Sequence, residues 1–185
     1  MTPRLRRMAA GDLPAVLDLE RDLFPEDAWT REMFAGELRG DLPDRCYLVA
    51  EEDGRVVGYA GLLAPVSRRA RPGRGGQADV LTMAVASSHW GQGIGSALLE
   101  ALLAEAAARG CAEVFLEVRV DNPRAQRLYR RYGFADAGLR RGYYQPSGTD
   151  ALVMRRPLDA AEFSSAASGS RALAAPAPGS KERRS

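Results

Sequence analysis

The sequence is poor in the residues that build metal centres and covalent staples. Two cysteines, Cys46 and Cys111, and one histidine, His89, occur in 185 residues, with no CxxC pair and no histidine cluster. A metal site draws several His, Cys or carboxylate ligands together at characteristic spacings, and this inventory does not supply them, so no metal is expected. The two cysteines are expected to be small buried hydrophobes in a reducing compartment. An apolar run near the ~20 residues of a membrane span is also missing. The basic stretch Met1–Arg7 is not followed by the apolar segment of a secretory leader. No membrane partner and a cytoplasmic location are the expectations that follow.

Charge of one sign is scarce too: 26 basic against 24 acidic residues leave +2. Four arginines fall between Val66 and Gly76 with no acid among them, and residues 159–185 carry one net positive charge, so the remainder stands at −3. A nucleic-acid reader is expected to carry its basic residues on a folded face; here they concentrate in segments without helical or strand periodicity, and direct nucleic-acid binding is not expected. Residues 66–77, rich in Arg and Gly, are expected to form a mobile loop, and the Ala/Ser/Pro-rich residues 159–185 a disordered tail. With 45% hydrophobic residues, residues 1–158 can bury one core, and a single domain is expected there, monomeric or weakly dimeric.

Within residues 1–158 strand and helix signals alternate. A short strand near Arg4–Met8 precedes a helix that Asp12 is placed to cap and that Pro25 interrupts, and a second short helix follows Thr30. Cys46–Glu51 and Arg55–Leu63 are apolar strands joined by Asp53-Gly54, a strong hairpin signal. Asp79–Ala86 is another strand. Beyond a glycine-rich turn comes a helix with Ile94, Ala97, Leu98, Ala101 and Leu102 at helical spacing, closing at Arg109-Gly110. Glu113–Val120 alternates, which places Glu117 on the face opposite Val114, Leu116 and Val118. Asn122-Pro123 opens a helix whose inner face carries Ala125, Leu128, Tyr129 and Tyr132. Phe134–Arg140 and Ala151–Arg155 close the chain as two strands joined through Gly142–Asp150. The expected class is α/β, a mixed central sheet flanked by about four helices.

The turn Trp90-Gly91-Gln92-Gly93-Ile94-Gly95 joins strand to helix. Glycines there let the backbone approach a diphosphate closely, and the unpaired N–H groups at the helix N-terminus suit its charge; a Cβ on Gly93 or Gly95 is expected to stand in the way. The same turn can equally be a plain connection. A P-loop is excluded because no Lys followed by Ser or Thr closes the run. A dinucleotide fold fits poorly: Glu113 lies near the required distance, but the earlier chain supplies a hairpin instead of a βαβ start. Coenzyme A remains as the diphosphate ligand.

At these residues the sequence resembles the GNAT acetyltransferases, whose signature R/Q-x-x-G-x-G/A is met here by Trp90 to Gly95, with Trp90 departing at the first position. Within that family it is similar to the ribosomal-protein alanine acetyltransferases. Met83-Ala84-Val85, Gly91 to Ser96, Leu116-Glu117-Val118-Arg119, Asn122, Leu128-Tyr129, Tyr132-Gly133-Phe134 and Arg140-Arg141-Gly142-Tyr143-Tyr144 carry the likeness, which spans roughly residues 3–158. The GNAT fold is implied, as is direct attack of an amine on the thioester of acetyl-CoA, without a covalent enzyme intermediate. By the same resemblance Glu117 is the general base and Tyr129 the general acid. Met83, Ala84, Val85, Gly91, Gln92, Gly93, Ile94, Gly95, Ser96 and Asn122 bind the coenzyme. Trp29, Tyr143 and Tyr144 border the acceptor, which the resemblance implies is the basic N-terminus of a protein, a ribosomal protein being the expected one. From residue type alone the favoured reading of Glu117 is a solvated or Arg-paired carboxylate and that of Tyr129 a core tyrosine; the motif context reverses both. A small-amine acetyltransferase and a non-catalytic acetyl-CoA-binding module are the competing functional readings.

Overall fold

In a computed structural model the chain is described over residues 3–65 and 75–159. The expected mobile loop at 66–77 and disordered tail at 159–185 lie outside the described residues except at 75–77 and 159. Seven strands form one sheet in the order β1-β2-β3-β4-β5-β7-β6, from β1 (Arg4–Arg7), β2 (Arg45–Glu52), β3 (Arg55–Leu63), β4 (Gln77–Val85), β5 (Glu113–Arg119), β6 (Ala135–Tyr144) and β7 (Thr149–Pro157). Four helices flank it: α1 (Leu13–Leu23), α2 (Arg31–Glu37), α3 (Ile94–Ala108) and α4 (Pro123–Arg131). The mixed α/β class is as expected, and β4 begins at Gln77, inside the span assigned to the loop.

Alternation of side chains sorts the core into two layers. Cys46, Leu48, Ala60, Leu62, Val114, Leu116 and Val118 pack against α3 and against Tyr129 of α4. Tyr47, Val49, Tyr59 and Ala84 pack on the other face with Val16 and Leu17 of α1 and Phe34 of α2. Phe34 meets Tyr47 and Tyr59 edge-on at 6.3 and 5.7 Å, the geometry that aromatic quadrupoles favour. Burial pushes the Cys46 thiol up to about 11, so both buried cysteines behave as the small hydrophobes expected.

Local capping is partly as expected. Thr30 caps α2 through Met33 N, and Asn122 caps α4 through Ala125 N at 3.1 Å. Asp12 does not cap α1 with its side chain. Its carboxylate is held by both terminal nitrogens of Arg6 at 2.7 and 2.8 Å and turns back to Ala9 N; a charged partner outcompetes the backbone cap. The closing hairpin is longer than expected, because β6 runs on through Gly142 (φ 59) to Tyr144, with register irregularities at Asp136/Gly138 and Arg140/Tyr144.

One irregularity positions the site. Val80 pairs with Leu62 and Thr82 with Gly61, which leaves Leu81 as the extra residue of a bulge in β4. The only parallel pairing in the sheet, β4 with β5, ends at that bulge with Val80 opposite Leu116. A bulge bends and twists its strand. Beyond it β4 stays with β3 while β5 stays with β7 to Arg119, and the sheet opens between them.

Candidate active site

A cavity of about 1190 Å³ fills this opening, somewhat above the usual range for small-ligand sites. Met83, Ala84 and Val85 of β4 line one side, Gly91, Gly93, Ile94, Gly95 and Ser96 its floor, and Asn122, Ala125, Leu128 and Tyr129 of α4 the other side. Because Ala86 N bonds Val57 O while Val85 lies opposite Gly58, the antiparallel alternation turns the N–H and C=O of Val85 and Met83 away from β3, into the cavity. An extended amide-bearing arm can therefore add to β4 as a strand would.

The glycine turn is built for an anion. Gly91 (φ 78) and Gly93 (φ 83) occupy left-handed backbone conformations, and a Cβ at either would project into open space. Gly93 caps a 15-residue helix, whose first N–H groups face the cavity unpaired. Gly95 differs: its φ is not left-handed, and a Cβ there would meet Leu128 Cδ2 at 3.4 Å, an ordinary contact on the side of α3 that faces α4. Gln92 turns away, donating to Ser88 O, and does not line the cavity.

The sequence profile of the Acetyltransferase (GNAT) family matches residues 13–134. The chain belongs to the GNAT acetyltransferases. It is 41% identical to the N-alpha-acetyltransferase RimI of Mycobacterium tuberculosis, over 80% of this chain and 89% of the relative. Its fold is similar to the crystal structure of the ribosomal-protein-S18-alanine N-acetyltransferase from Escherichia coli, with a TM-score of 0.70 and 29% identity over 85% and 94% of the two chains. A phosphinothricin acetyltransferase from Sinorhizobium meliloti, solved with acetyl-CoA, matches at a TM-score of 0.70 and 25% identity over 86% and 90%. The protein is thus an N-acetyltransferase with acetyl-CoA as co-substrate, and the turned-out β4 amides, the open glycine turn and the cavity volume fit that molecule.

Tyr129 is 7% exposed, yet it lines the cavity and its hydroxyl has no hydrogen-bond partner among the described residues. Burial, with Tyr144 nearby, holds its pKa well above the ordinary phenol value, so it keeps its proton at neutral pH. Glu117 lies on the opposite sheet face from the α3–α4 layer and does not line the cavity; it pairs with Arg140 at 3.2 Å. Tyr144 links the two residues: its own pKa, pushed up to about 12 mainly by burial, also feels Glu117. Arg119 lies over the Tyr144 ring at 5.3 Å and Arg140 over that of Tyr143 at 5.4 Å, so the β6 tyrosines stand beside the Glu117 carboxylate in a cation-rich patch. Trp29 does not line the cavity. It packs on Phe34 at 5.2 Å and gives its backbone N–H to Glu20 at 2.6 Å, stapling the segment after α1 to the core.

Several lining groups were not anticipated. Asp22 at the end of α1 and Glu26 and Asp27 beyond it make an acidic wall, and Arg124, Arg127 and Arg131 of α4 a basic one; Arg119, paired with Asp121 at 3.0 Å, lies within electrostatic reach of Glu26 and Asp27. The spacing of Arg124, Arg127 and Arg131 at i, i+3 and i+7 does place them on one helix face, which was the available signal; an acidic wall on a loop leaves no periodic trace. His89 also lines the cavity and pairs with Glu52 at 3.0 Å.

Proposed function

We propose that this protein acetylates the N-terminal α-amine of a protein chain by direct attack of that amine on the acetyl-CoA thioester, with the N-terminal alanine of ribosomal protein bS18 as acceptor. The observation that carries the reading is the unpartnered hydroxyl of Tyr129, a buried residue, in a cavity lined by both arginines and carboxylates. A tyrosine that keeps its proton suits donation to a departing thiolate. The arginine wall suits phosphates, and the acidic wall suits an ammonium-bearing, basic peptide. Glu117, on the side of the sheet away from the coenzyme floor and paired with Arg140 at 3.2 Å, takes the amine proton directly or through a water. The Val85 N–H, turned into the opening, is placed to stabilise charge on the thioester oxygen.

An α-amine, with pKa ≈ 7.7–8.0, is easier to deprotonate at neutral pH than lysine at ≈ 10.4 by about 3.5 kcal/mol. One carboxylate therefore suffices. The similarity to acetyltransferases of the S18-alanine and N-alpha types supports the acceptor class, and the likeness to a phosphinothricin acetyltransferase keeps a small amine as the second reading. A thiol-release assay over peptides varying the first residue, run beside a set of small amines, separates the two. Ala-starting peptides are expected to turn over fastest; turnover of small amines alone would refute the proposal. Tyr129→Phe and Glu117→Gln are each expected to cut kcat by roughly 10²–10⁴, and activity untouched by both would favour a non-catalytic module.

A further inference from the structure

Trp90 and Arg124 come from opposite sides of the opening, one from the turn after β4 and the other from the first turn of α4, and both line the cavity. The Trp90 indole Nε1 donates to Val85 O at 2.7 Å, which fixes the ring plane against the end of β4. The Arg124 guanidinium lies over that ring at 3.4 Å from its centroid. Among the described residues Arg124 has no carboxylate partner, in contrast to Arg119, paired with Asp121 at 3.0 Å, and Arg130, paired with Asp136 at 3.0 Å. Partial desolvation lowers its pKa below the ordinary guanidinium value, although Arg124 and Trp90 both remain exposed to solvent. A cation held partly desolvated on an aromatic face, with no counter-charge, beside a helix N-terminus and a glycine turn, is placed to receive an anion.

We propose that Arg124, seated on the Trp90 ring, is the side-chain cation of the diphosphate site of acetyl-CoA. Trp90 acts as its positioning residue: the Val85 hydrogen bond sets the indole, and the indole sets the guanidinium plane, so that the fork faces the ligand instead of sampling its rotamers. The inference rests on the use of acetyl-CoA and not on the acceptor proposed above, so it is tested without any acceptor.

Calorimetric titration of the full chain with acetyl-CoA, 3′-dephospho-acetyl-CoA and acetyl-pantetheine reads the assignment directly. Arg124→Gln is expected to weaken acetyl-CoA and the 3′-dephospho form alike by about 10–100-fold, as loss of a charge-assisted hydrogen bond does, while acetyl-pantetheine, which lacks the diphosphate, shows no difference between variant and parent. Arg124→Lys keeps the charge without the planar stack and should fall between. Trp90→Leu should reproduce most of the loss, and Trp90→Phe, which retains the π face, less of it. Arg130→Gln removes an arginine from the solvent side of α4 and serves as the charge control, with affinity expected within about 2-fold because exposed pairs contribute little. A penalty for Arg124→Gln that disappears with the 3′-dephospho form would overturn the proposal by assigning Arg124 to the other phosphate. An affinity for acetyl-CoA equal to that of the parent would overturn it outright.

Discussion

Glu20, 1% exposed, is the one charged side chain fully buried among the described residues. One carboxylate oxygen accepts from Trp29 N and the other has no partner. Burial pushes the carboxyl up to about 7, with Asp27 adding to the rise and the Trp29 bond opposing it. The native state therefore holds a proton that the unfolded chain gives up near pH 4.3. Stability from this group is full below that value, falls as pH rises, and is lost above about 7, a span worth roughly 3 kcal/mol. Glu20→Gln, neutral throughout and still able to accept from Trp29 N, should flatten the urea midpoint between pH 5 and 8 while the parent loses stability over that range; equal slopes would refute this. Residue periodicity did mark Glu20, since Leu13, Val16, Leu17 and Glu20 share one face of α1. What it does not encode is that a charge on that face would be sealed in, because the lid is α2 and the Trp29 segment, brought over by tertiary contact.

At the level of elements, the glycine turn separates two kinds of constraint that look alike in sequence. Gly93 needs its left-handed φ, which costs a residue with a Cβ roughly 1–2 kcal/mol, while Gly95 sits at ordinary helical φ against Leu128. Gly93→Ala should lower stability by about that amount and weaken acetyl-CoA, since the new methyl enters the cavity. Gly95→Ala should be neutral, or stabilising by up to about 1 kcal/mol through helix propensity. Thermal melts of the two variants decide between this and the simpler expectation that both glycines guard the phosphates. Elements with a local code were legible: the Asp53-Gly54 hairpin, with φ 49 and 75, the Asn122 cap and the alternation of β5. Asp12 and the end of β6 were misjudged because Arg6 and the β7 pairing, both distant in sequence or register, decide them. The Leu81 bulge, which opens the sheet, leaves no mark in a run as apolar as Asp79–Ala86.

On the scale of the whole molecule, the two sides of the sheet are stitched by the four-residue β4–β5 ladder, by α3 and α4 packing across it, and by the Trp90–Arg124 stack. Past Leu116 the cavity takes the place of a strand pair, so β4 backbone groups such as the Val85 N–H that a continuous sheet would satisfy are left to a ligand or to water, while the Val85 C=O is taken by the Trp90 indole. Acetyl-CoA bound there supplies the missing ladder and neutralises the arginine wall, and it does so only in the folded state. Ligand at 100 times its Kd should then add about 2.7 kcal/mol, which for a domain of this size raises Tm by roughly 5–10 °C. Acetyl-pantetheine, which can complete the ladder but brings no phosphates, should give a smaller rise at the same concentration, because without the diphosphate contacts its Kd is higher. A Tm that moves equally with both ligands would mean that the strand edge alone, and not the charge set against it, holds the co-substrate.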